Sequence, residues 1–431
     1  MVKLEGRCLA ADLRARRGRV SLVGWVFRKR SEDGRVLMTI RDRSGLGELV
    51  IDGRLVRAGI LDRIKRATPG SAVAMRGLLR EGVFVPETVE ILSPSEKMPI
   101  DVGSVDTSSL DLLRRRYLVL RSPRMMSVLK VQSELLMAIR EFLQREGFVE
   151  IQPPIVGPVT DPGIRGADQV TITWYHKAPY RIMSSMILYK QMTICALEKV
   201  YSFSPNVRLE PLEARDTRRH LSEFWQVDIE QAFAGCDDMM ELGERMLVYV
   251  IGAIKRRCAG ELRGLGRELK APRIPFKRIT HREAVEMLRS MGYAVSYEDE
   301  IPWDAEEALS GALEEPVWIT DYPLPSRGFY YIEEPGRPGV LRSMDLIYPE
   351  GYGEAISGGE REYRYERVVE RIREGGEDPG RYGWYLEMLR YGVPPSAGFG
   401  IGVERLTRYI CGLKAVWEAT PFPKVPGILS P

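Results

Sequence analysis

Two textures of apolar and polar positions divide the chain. Between residues 19 and 94, apolar side chains alternate with polar ones in RVSLVGWVFRKR, RVLMTIRDRSG, LGELVIDG, SAVAMRGLLREG and VFVPETVEILSP. A period of two places one set of side chains on one face of a strand, and Gly or Asp-Gly breaks separate the runs. From 124 to 147 the period becomes helical, with Leu129, Leu136, Ile139 and Phe142 recurring at steps of three and four or their multiples, and Gly147 ends it. FVEIQPPIV then reads as a strand broken by Pro153 and Pro154. VYSFSPNVRLE and EFWQVDIEQAF read as antiparallel strands joined by a charged loop, and residues 237–258 as a helix. The remainder mixes strands with Gly-rich turns and closes in a helix near 402–412.

Five short strands in about 75 residues suit a small closed barrel such as an OB-fold. SPSEKMPIDVGSVDTSSLD, rich in Ser, Asp and Pro, reads as a linker. The expected organisation is a barrel over 1–95, a linker over 96–123 and a larger domain over 124–431. In the larger part strands and helices are segregated, which predicts α+β architecture on a central antiparallel sheet.

Composition narrows the class. With 44% apolar and 29% charged residues the 431-residue chain is a globular mixture, not a disordered or collagen-like one. No apolar run is long enough to span a membrane, and MVKLEGRCLAADLRARRGR lacks the apolar core of a secretory signal. The scattered Cys8, Cys195, Cys236, Cys258 and Cys411 fit reduced thiols in a cytoplasmic protein. No CxxC pair and only His176, His220 and His281 argue against a zinc or haem site. A net charge of +3 is too balanced to indicate nucleic-acid binding by itself.

The chain has no GxxxxGK[ST] loop, no GxGxxG between strand and helix, and no GxSxG. Three arginine-centred clusters offer another way to hold a nucleotide. In SPNVRLE, Arg208 and Glu210 share a strand face, and EARDTRRH adds Arg215, Arg218, Arg219 and His220. EFWQVDIE places Phe224, Gln226, Asp228 and Glu230 on one face. A guanidinium suits phosphate, a ring suits a base and a carboxylate suits an exocyclic amine; a solvated hairpin with surface ion pairs is the competing reading. In SMDLIYPEGYGEAISGGEREYRY, Asp345 and Glu354 flank a turn and are placed to share a divalent cation with phosphate oxygens, and Arg361 follows two glycines. In PPSAGFGIGVERL, small residues lead into a helix whose first turns carry Arg405, an arrangement suited to phosphate.

The order and spacing of these clusters resemble the class II aminoacyl-tRNA synthetases of the aspartate/asparagine subgroup over nearly the whole chain. REGFVEIQPP resembles motif 1, the dimer-forming helix and strand; NVRLE with RRHLSEFWQVDIE resembles motif 2; GFGIGVERL resembles motif 3. The resemblance implies ATP and Mg²⁺, a homodimer and an aminoacyl-adenylate. In it Arg208 grips the α-phosphate and the amino-acid carboxylate. Glu210 meets the adenine amine and Phe224 stacks on the ring. Arg218 and His220 contact the outer phosphates, Arg405 holds the γ-phosphate, and Asp345 with Glu354 binds Mg²⁺. Ser185, Lys190 and Arg361 form the amino-acid pocket, and two cations there favour aspartate over asparagine, because an amide would leave a buried cation unpaired.

The chain departs from the family at several positions. Ile187 replaces a glutamine, VTDPGIRGADQ replaces an acidic flipping segment, and motif 3 reads SAGFG. Leu37 and Glu48 stand where an aromatic and a glutamine meet an anticodon base. TDP, SMILxKQ, SGGERE and PFPxVPGI resemble archaeal asparagine synthetases related to aspartyl-tRNA synthetase, in which ammonia attacks the aspartyl-adenylate. DTRRHLSEFW and WYLEMLRYG read like an asparaginyl-tRNA synthetase, which keeps asparagine as the other substrate, and the retained architecture favours transfer to tRNA. Amidation by ammonia is the alternative, and a silent RNA-binding paralogue is a third reading from another class.

Overall fold

The computed structural model describes residues 6–161, 166–175 and 178–431. His176 and residues 162–165 of VTDPGIRGADQ lie outside the described residues. The chain forms two compact units, Met1–Asp106 with Leu118–Met126, and Thr107–Tyr117 with Ser127–Pro431.

In the first unit β1 (Gly18–Glu32), β2 (Arg35–Asp42), β3 (Gly45–Asp52), β4 (Ala72–Arg80) and β5 (Val83–Ser93) close into a barrel in the order β1-β2-β3-β5-β4. The sequence alternation reads directly onto it, since Leu22, Val36, Met38, Ile40, Leu49 and Met75 all point inward and are buried. β1 is long enough to pair with both β2 and β4, and a bulge between Val26 and Arg28 lets it turn from one to the other. The helix Ala58–Arg66, which the sequence pattern did not single out, buries Ile64 in the barrel core. The Lys29 ammonium donates to the carbonyls of Ile64, Lys65 and Ala67 at that helix's C-terminal end, where the dipole favours a cation.

The second unit is built on an eight-stranded sheet. Its strands are β6 (Val149–Glu150), β10 (Lys199–Val207), β11 (Glu223–Ala232), β12 (Lys277–Thr280), β13 (Val317–Thr320), β14 (Ser343–Tyr348), β15 (Gly353–Glu360) and β16 (Ser396–Gly402). A separate three-stranded sheet holds β7 (Val156–Gly157), β8 (Thr171–Trp174) and β9 (Ala178–Ile182). The large sheet runs β12-β13-β14-β15-β16-β11-β10-β6. Its six inner strands are antiparallel, as expected. The end pairs β10–β6 and β12–β13 are parallel, because helical crossovers separate those strands in the chain.

Helices Pro123–Arg145, Cys236–Arg257 and Val403–Cys411 cover one face of this sheet. The first meets the core through Val128, Val131, Leu135, Ala138, Ile139 and Phe142, while Leu129 and Leu136 are only half-buried. The apolar stripe thus lies slightly around the helix from the face the leucine spacing suggests. Among the described residues no helix is long and apolar enough to cross a membrane.

Residues 107–117, inside the stretch read as a linker, are packed into the second unit. Leu113 shares a buried cluster with Leu221, Val416 and Trp417. Arg116 is 1% exposed and donates to the carbonyls of Trp417 and Thr420. Burial pushes its guanidinium down to about 10 against the pull of Glu418. Polarity made this segment look solvated, yet the last of its three arginines satisfies carbonyls that water cannot reach. Replacing Arg116→Ala strands those carbonyls and is expected to cost the second unit about 3 kcal/mol, measured by urea denaturation.

Candidate active site

The face of the sheet opposite the helices is the floor of a cleft. On β11, Val227 and Ile229 point into the core, so Gln226, Asp228 and Glu230 point the other way. β16 places a glycine beside each of them, pairing Gln226 with Gly402, Asp228 with Gly400 and Glu230 with Gly398. Alternating with these glycines, Ala397, Phe399 and Ile401 pack into the core. A Cβ at Gly398 would lie 2.1 Å from a Glu230 oxygen. GFGIG, which reads as a small-residue approach to a helix, is therefore a strand whose bare face clears space for ligand, and the helix starts only at Val403.

One end of the cleft holds two buried cations and two buried carboxylates. Arg361 donates through Nε and Nη2 to both oxygens of Glu230 at 2.9 and 3.1 Å, and to the carbonyl of Gly398. Its Nη1 is buried without a hydrogen-bond partner among the described residues. Lys190, on the helix Ile187–Leu197, lies 3.4 Å from both Asp228 and Glu230 and donates to the carbonyls of Ile229 and Phe399. Burial alone would raise the Glu230 carboxyl, but Arg361 and Lys190 outweigh it and hold it below the ordinary range. The expectation of two cations awaiting a substrate carboxylate is corrected here, because both already face carboxylates of β11. Ser185 lines this end and its hydroxyl accepts from the Ile187 N–H. Tyr330 donates to Asp161 at the same end.

The other end carries the arginines. Arg208 donates from Nε to the Ser184 carbonyl at 3.1 Å and sits 5.1 Å over the Phe224 ring. Half-buried Glu210 lines the wall between Arg208 and Arg405, and burial raises its carboxyl against their pull. Arg405 reaches Glu354 at 3.2 Å through Nη1 and donates from Nη2 to His220 Nε2 at 3.3 Å. Since Nε2 accepts, His220 carries its proton on Nδ1 and donates to Thr217 Oγ1 at 2.7 Å. Burial, with Arg405 and Arg219 beside it, pushes the imidazole down to about 2, so the ring is neutral at any working pH.

The cleft brings together Ser185, Lys190, Arg208, Glu210, His220, Phe224, Glu354, Arg361 and Arg405. Two sequence-selected residues stand outside its lining. Arg218 is exposed with a left-handed backbone, and the neighbouring Arg219 lines the wall instead. Asp345 is buried beneath Arg327, which donates to it at 2.5 Å and also pairs with Glu300. Ser357, opposite Asp345 in the strand register, does line the cleft. A bulge between Glu354 and Ile356 shifts the register by one, so Glu354 and Ser357 share a face despite their odd spacing. Among the described residues no three His, Cys, Asp or Glu side chains cluster around a metal position. One carboxylate and one hydroxyl fit a hard cation that takes its other ligands from phosphate and water.

Sequence reasoning placed Gln226, Asp228 and Glu230 on one face but gave them no part in the site, although their even spacing beside Phe224 was the available signal. Trp303, Arg327, Tyr330 and Tyr331 also line the cleft, and they carry no local signal because they arrive from a segment about a hundred residues downstream.

Glu404, in the first turn of the helix Val403–Cys411, is buried at the cleft and accepts from the Trp225 N–H. Burial pushes its carboxyl up to about 7. A carboxyl raised on folding adds stability that is complete below its unfolded value and is lost as pH rises through the folded one. Stability is thus expected to fall by about 3 kcal/mol between pH 4.5 and pH 8 through this group. Glu404→Gln flattens that part of the pH–stability profile measured by thermal unfolding.

A family profile described as tRNA synthetases class II (D, K and N) matches residues 109–426. The chain is 34% identical over 423 residues to an asparagine–tRNA ligase of Pyrococcus abyssi, covering 96% of each. It is 35% identical over 428 residues to that of Symbiobacterium thermophilum, again covering 96% of each. The structure of asparaginyl-tRNA synthetase from Pyrococcus horikoshii complexed with asparaginyl-adenylate superposes with a TM-score of 0.91 at 30% identity, over 100% of both chains. Aspartyl-tRNA synthetase from Entamoeba histolytica shares the fold, with a TM-score of 0.83 at 23% identity over 99% and 92% of the two chains. With the family profile spanning most of the chain and relatives matched along nearly their whole length, the chain belongs to the class II tRNA synthetase family of aspartate, lysine and asparagine enzymes.

Proposed function

We propose that the protein activates asparagine with ATP and passes it to tRNA. The observation that carries this reading is the charge balance at the Lys190–Arg361 end. Both cations face Asp228 and Glu230, which leaves Arg361 Nη1–H as a buried donor without a partner among the described residues. An amide satisfies such a pocket, its carbonyl accepting from Nη1 and its NH₂ donating to a carboxylate. A substrate carboxylate would set a third negative charge beside two buried ones. The relatives named as asparagine–tRNA ligases and the bound asparaginyl-adenylate of the Pyrococcus horikoshii enzyme support the same substrate.

The chemistry follows from position and charge. A carboxylate oxygen of the amino acid attacks the α-phosphorus of ATP, the bond to the β-phosphate oxygen breaks, and pyrophosphate leaves. Arg208 bridges the two reactants, so it both aligns them and neutralises charge that builds on the α-phosphate. Phe224 stacks on the adenine and Glu210 accepts from its amine. Arg405 and Arg219 take the outer phosphates, with His220 holding the Arg405 fork as a neutral acceptor. Glu354 and Ser357 would hold Mg²⁺, which supplies charge neutralisation to the phosphate oxygens when bound. A terminal ribose hydroxyl of tRNA then attacks the activated carbonyl and AMP leaves, a reaction of the cytoplasm. Dimerisation through the helix Pro123–Arg145 and the segment after it would cover the exposed Met137, Val149 and Ile155. The barrel would meet tRNA with Leu37 and Glu48 outward on β2 and β3.

One observation favours aspartate instead. Every polar contact of Lys190 is 3.2–3.4 Å long, whereas a charge-assisted bond settles near 2.8 Å. A substrate β-carboxylate would shorten them, and its adenylate could go to tRNA or to ammonia.

Labelled asparagine and labelled aspartate, each offered with ATP, Mg²⁺, total tRNA and ammonium, decide between these readings. Asparagine label in acid-precipitable RNA is the expected result. Aspartate label in RNA or in free asparagine would overturn it. Within the expected outcome, Arg361→Leu lowers kcat/KM for asparagine about 100-fold, close to 3 kcal/mol, in pyrophosphate exchange. Arg208→Ala and Arg405→Ala each lower the exchange rate by about 100-fold or more.

A further inference from the structure

The helix Trp303–Gly311 lies between β12 and β13, outside all three clusters that define the site. Its Glu306 is buried and does not itself line the cleft. One oxygen of Glu306 accepts from Arg219 Nη2 at 2.5 Å and from the backbone N–H of Glu354 at 2.6 Å. The contacts continue into a closed ring. Arg405 Nε donates to the Arg219 carbonyl at 3.4 Å, and Arg405 Nη1 pairs with Glu354 at 3.2 Å. Four elements of the chain thus meet: the loop before β11, the helix Val403–Cys411, the start of β15 and the helix Trp303–Gly311.

Two further contacts of this helix point at the same place. The Trp303 ring lies 4.4 Å from the His220 ring, and the Trp303 carbonyl accepts from Arg219 Nη1 at 3.5 Å. Ser310 accepts from the Gly353 N–H and donates to the Tyr348 carbonyl, clamping the β14–β15 turn. At Gly353 the backbone is left-handed and a Cβ would lie 2.5 Å from the Arg219 guanidinium, so the turn can approach Arg219 only as glycine.

We propose that Glu306, backed by Trp303, is the positioning residue for the outer-phosphate end of the nucleotide site. Arg219 is 2% exposed, and a buried guanidinium has one stable place only where its charge is matched. Glu306 supplies that match and in the same contact fixes the backbone of Glu354, the carboxylate that holds the other side of Arg405. The helix therefore sets the distance between the Arg405 fork and its neighbours before any phosphate arrives. Ordering this cationic end in advance leaves less side-chain freedom to be lost when an anion binds. Lys190 and Arg361 are held instead by Asp228, Glu230 and the carbonyls of β11 and β16, so the amino-acid end should not respond to it.

This inference rests on the reading of the cleft as an ATP site. Its test is calorimetric binding of a non-hydrolysable ATP analogue with Mg²⁺ to the full chain, followed by pyrophosphate exchange with asparagine. Glu306→Gln should weaken analogue binding and raise the ATP KM by about tenfold, leaving the asparagine KM within about twofold. Glu306→Asp should recover most of the loss, which a merely structural role in the helix would not produce. Trp303→Leu, which leaves the ion pairs intact, should give a smaller loss in the same direction and stands in if Glu306→Gln fails to fold. Wild-type binding with unchanged affinity in folded Glu306→Gln and Trp303→Leu overturns this inference alone. A wild-type protein that binds no nucleotide overturns the ATP reading and this inference with it.

Discussion

Glu230 and Arg361 make the contact on which the second unit depends. Both are buried, at 0% and 2% exposure, and two parallel hydrogen bonds join a residue of β11 to one just beyond β15. The pair crosses β16, and only a glycine at 398 leaves room for it. A buried ion pair is weak evidence of stability, because desolvating two charges costs about as much as their attraction returns. What it does impose is one geometry. The bidentate fork leaves Arg361 a single remaining nitrogen to direct at a ligand, and Ser396 and Lys190 are ordered around the same carboxylate.

From that contact the cleft divides by charge. At the Lys190–Arg361 end the protein supplies its own anions, so a ligand meets directional hydrogen bonds and little net field. At the other end Arg208, Arg219 and Arg405 gather three guanidiniums around one space, which suits a polyanion. The imidazole between them stays neutral because charging it would add another cation to the same buried space. The strands that carry both ends are held rigid by a core of Val227, Ile229, Phe399 and Ile401 packed on their reverse side. The same alternation that builds the core therefore aims the polar side chains, and packing and site geometry are two faces of one strand pattern.

The expectations that held share a short range. Barrel strands, the β10–β11 hairpin and the long helices follow from periods of two and 3.6 residues, which neighbours in the chain decide. The helix Ala58–Arg66 was hidden by its few apolar positions among arginines and lysines, and the sheet of β7, β8 and β9 by strands of two to five residues. Residues 107–117 read as linker because their polarity looks solvated, yet Arg116 spends its charge on buried carbonyls about three hundred residues away.

In the site the same limit recurs. Arg208, Glu210, Phe224 and Arg405 were legible as residues of one cleft because motif order and spacing select them, although Arg208 and Glu210 lie just beyond β10 and Arg405 lies on a helix. Arg218 and Asp345 misled because parity cannot tell which of two adjacent arginines a turn will bury, or that Arg327 will cover a carboxylate. Lys190 and Arg361 were legible as cleft residues, but the carboxylates that pair with them were not, since Asp228 and Glu230 reach them across strands. The sequence by itself determined the barrel strands, the long helices, the family and most of the residues that converge, because those rest on local period and on motif order. Only the tertiary structure decided which charges meet and cancel, because electrostatic pairing depends on distance in space and not on separation along the chain.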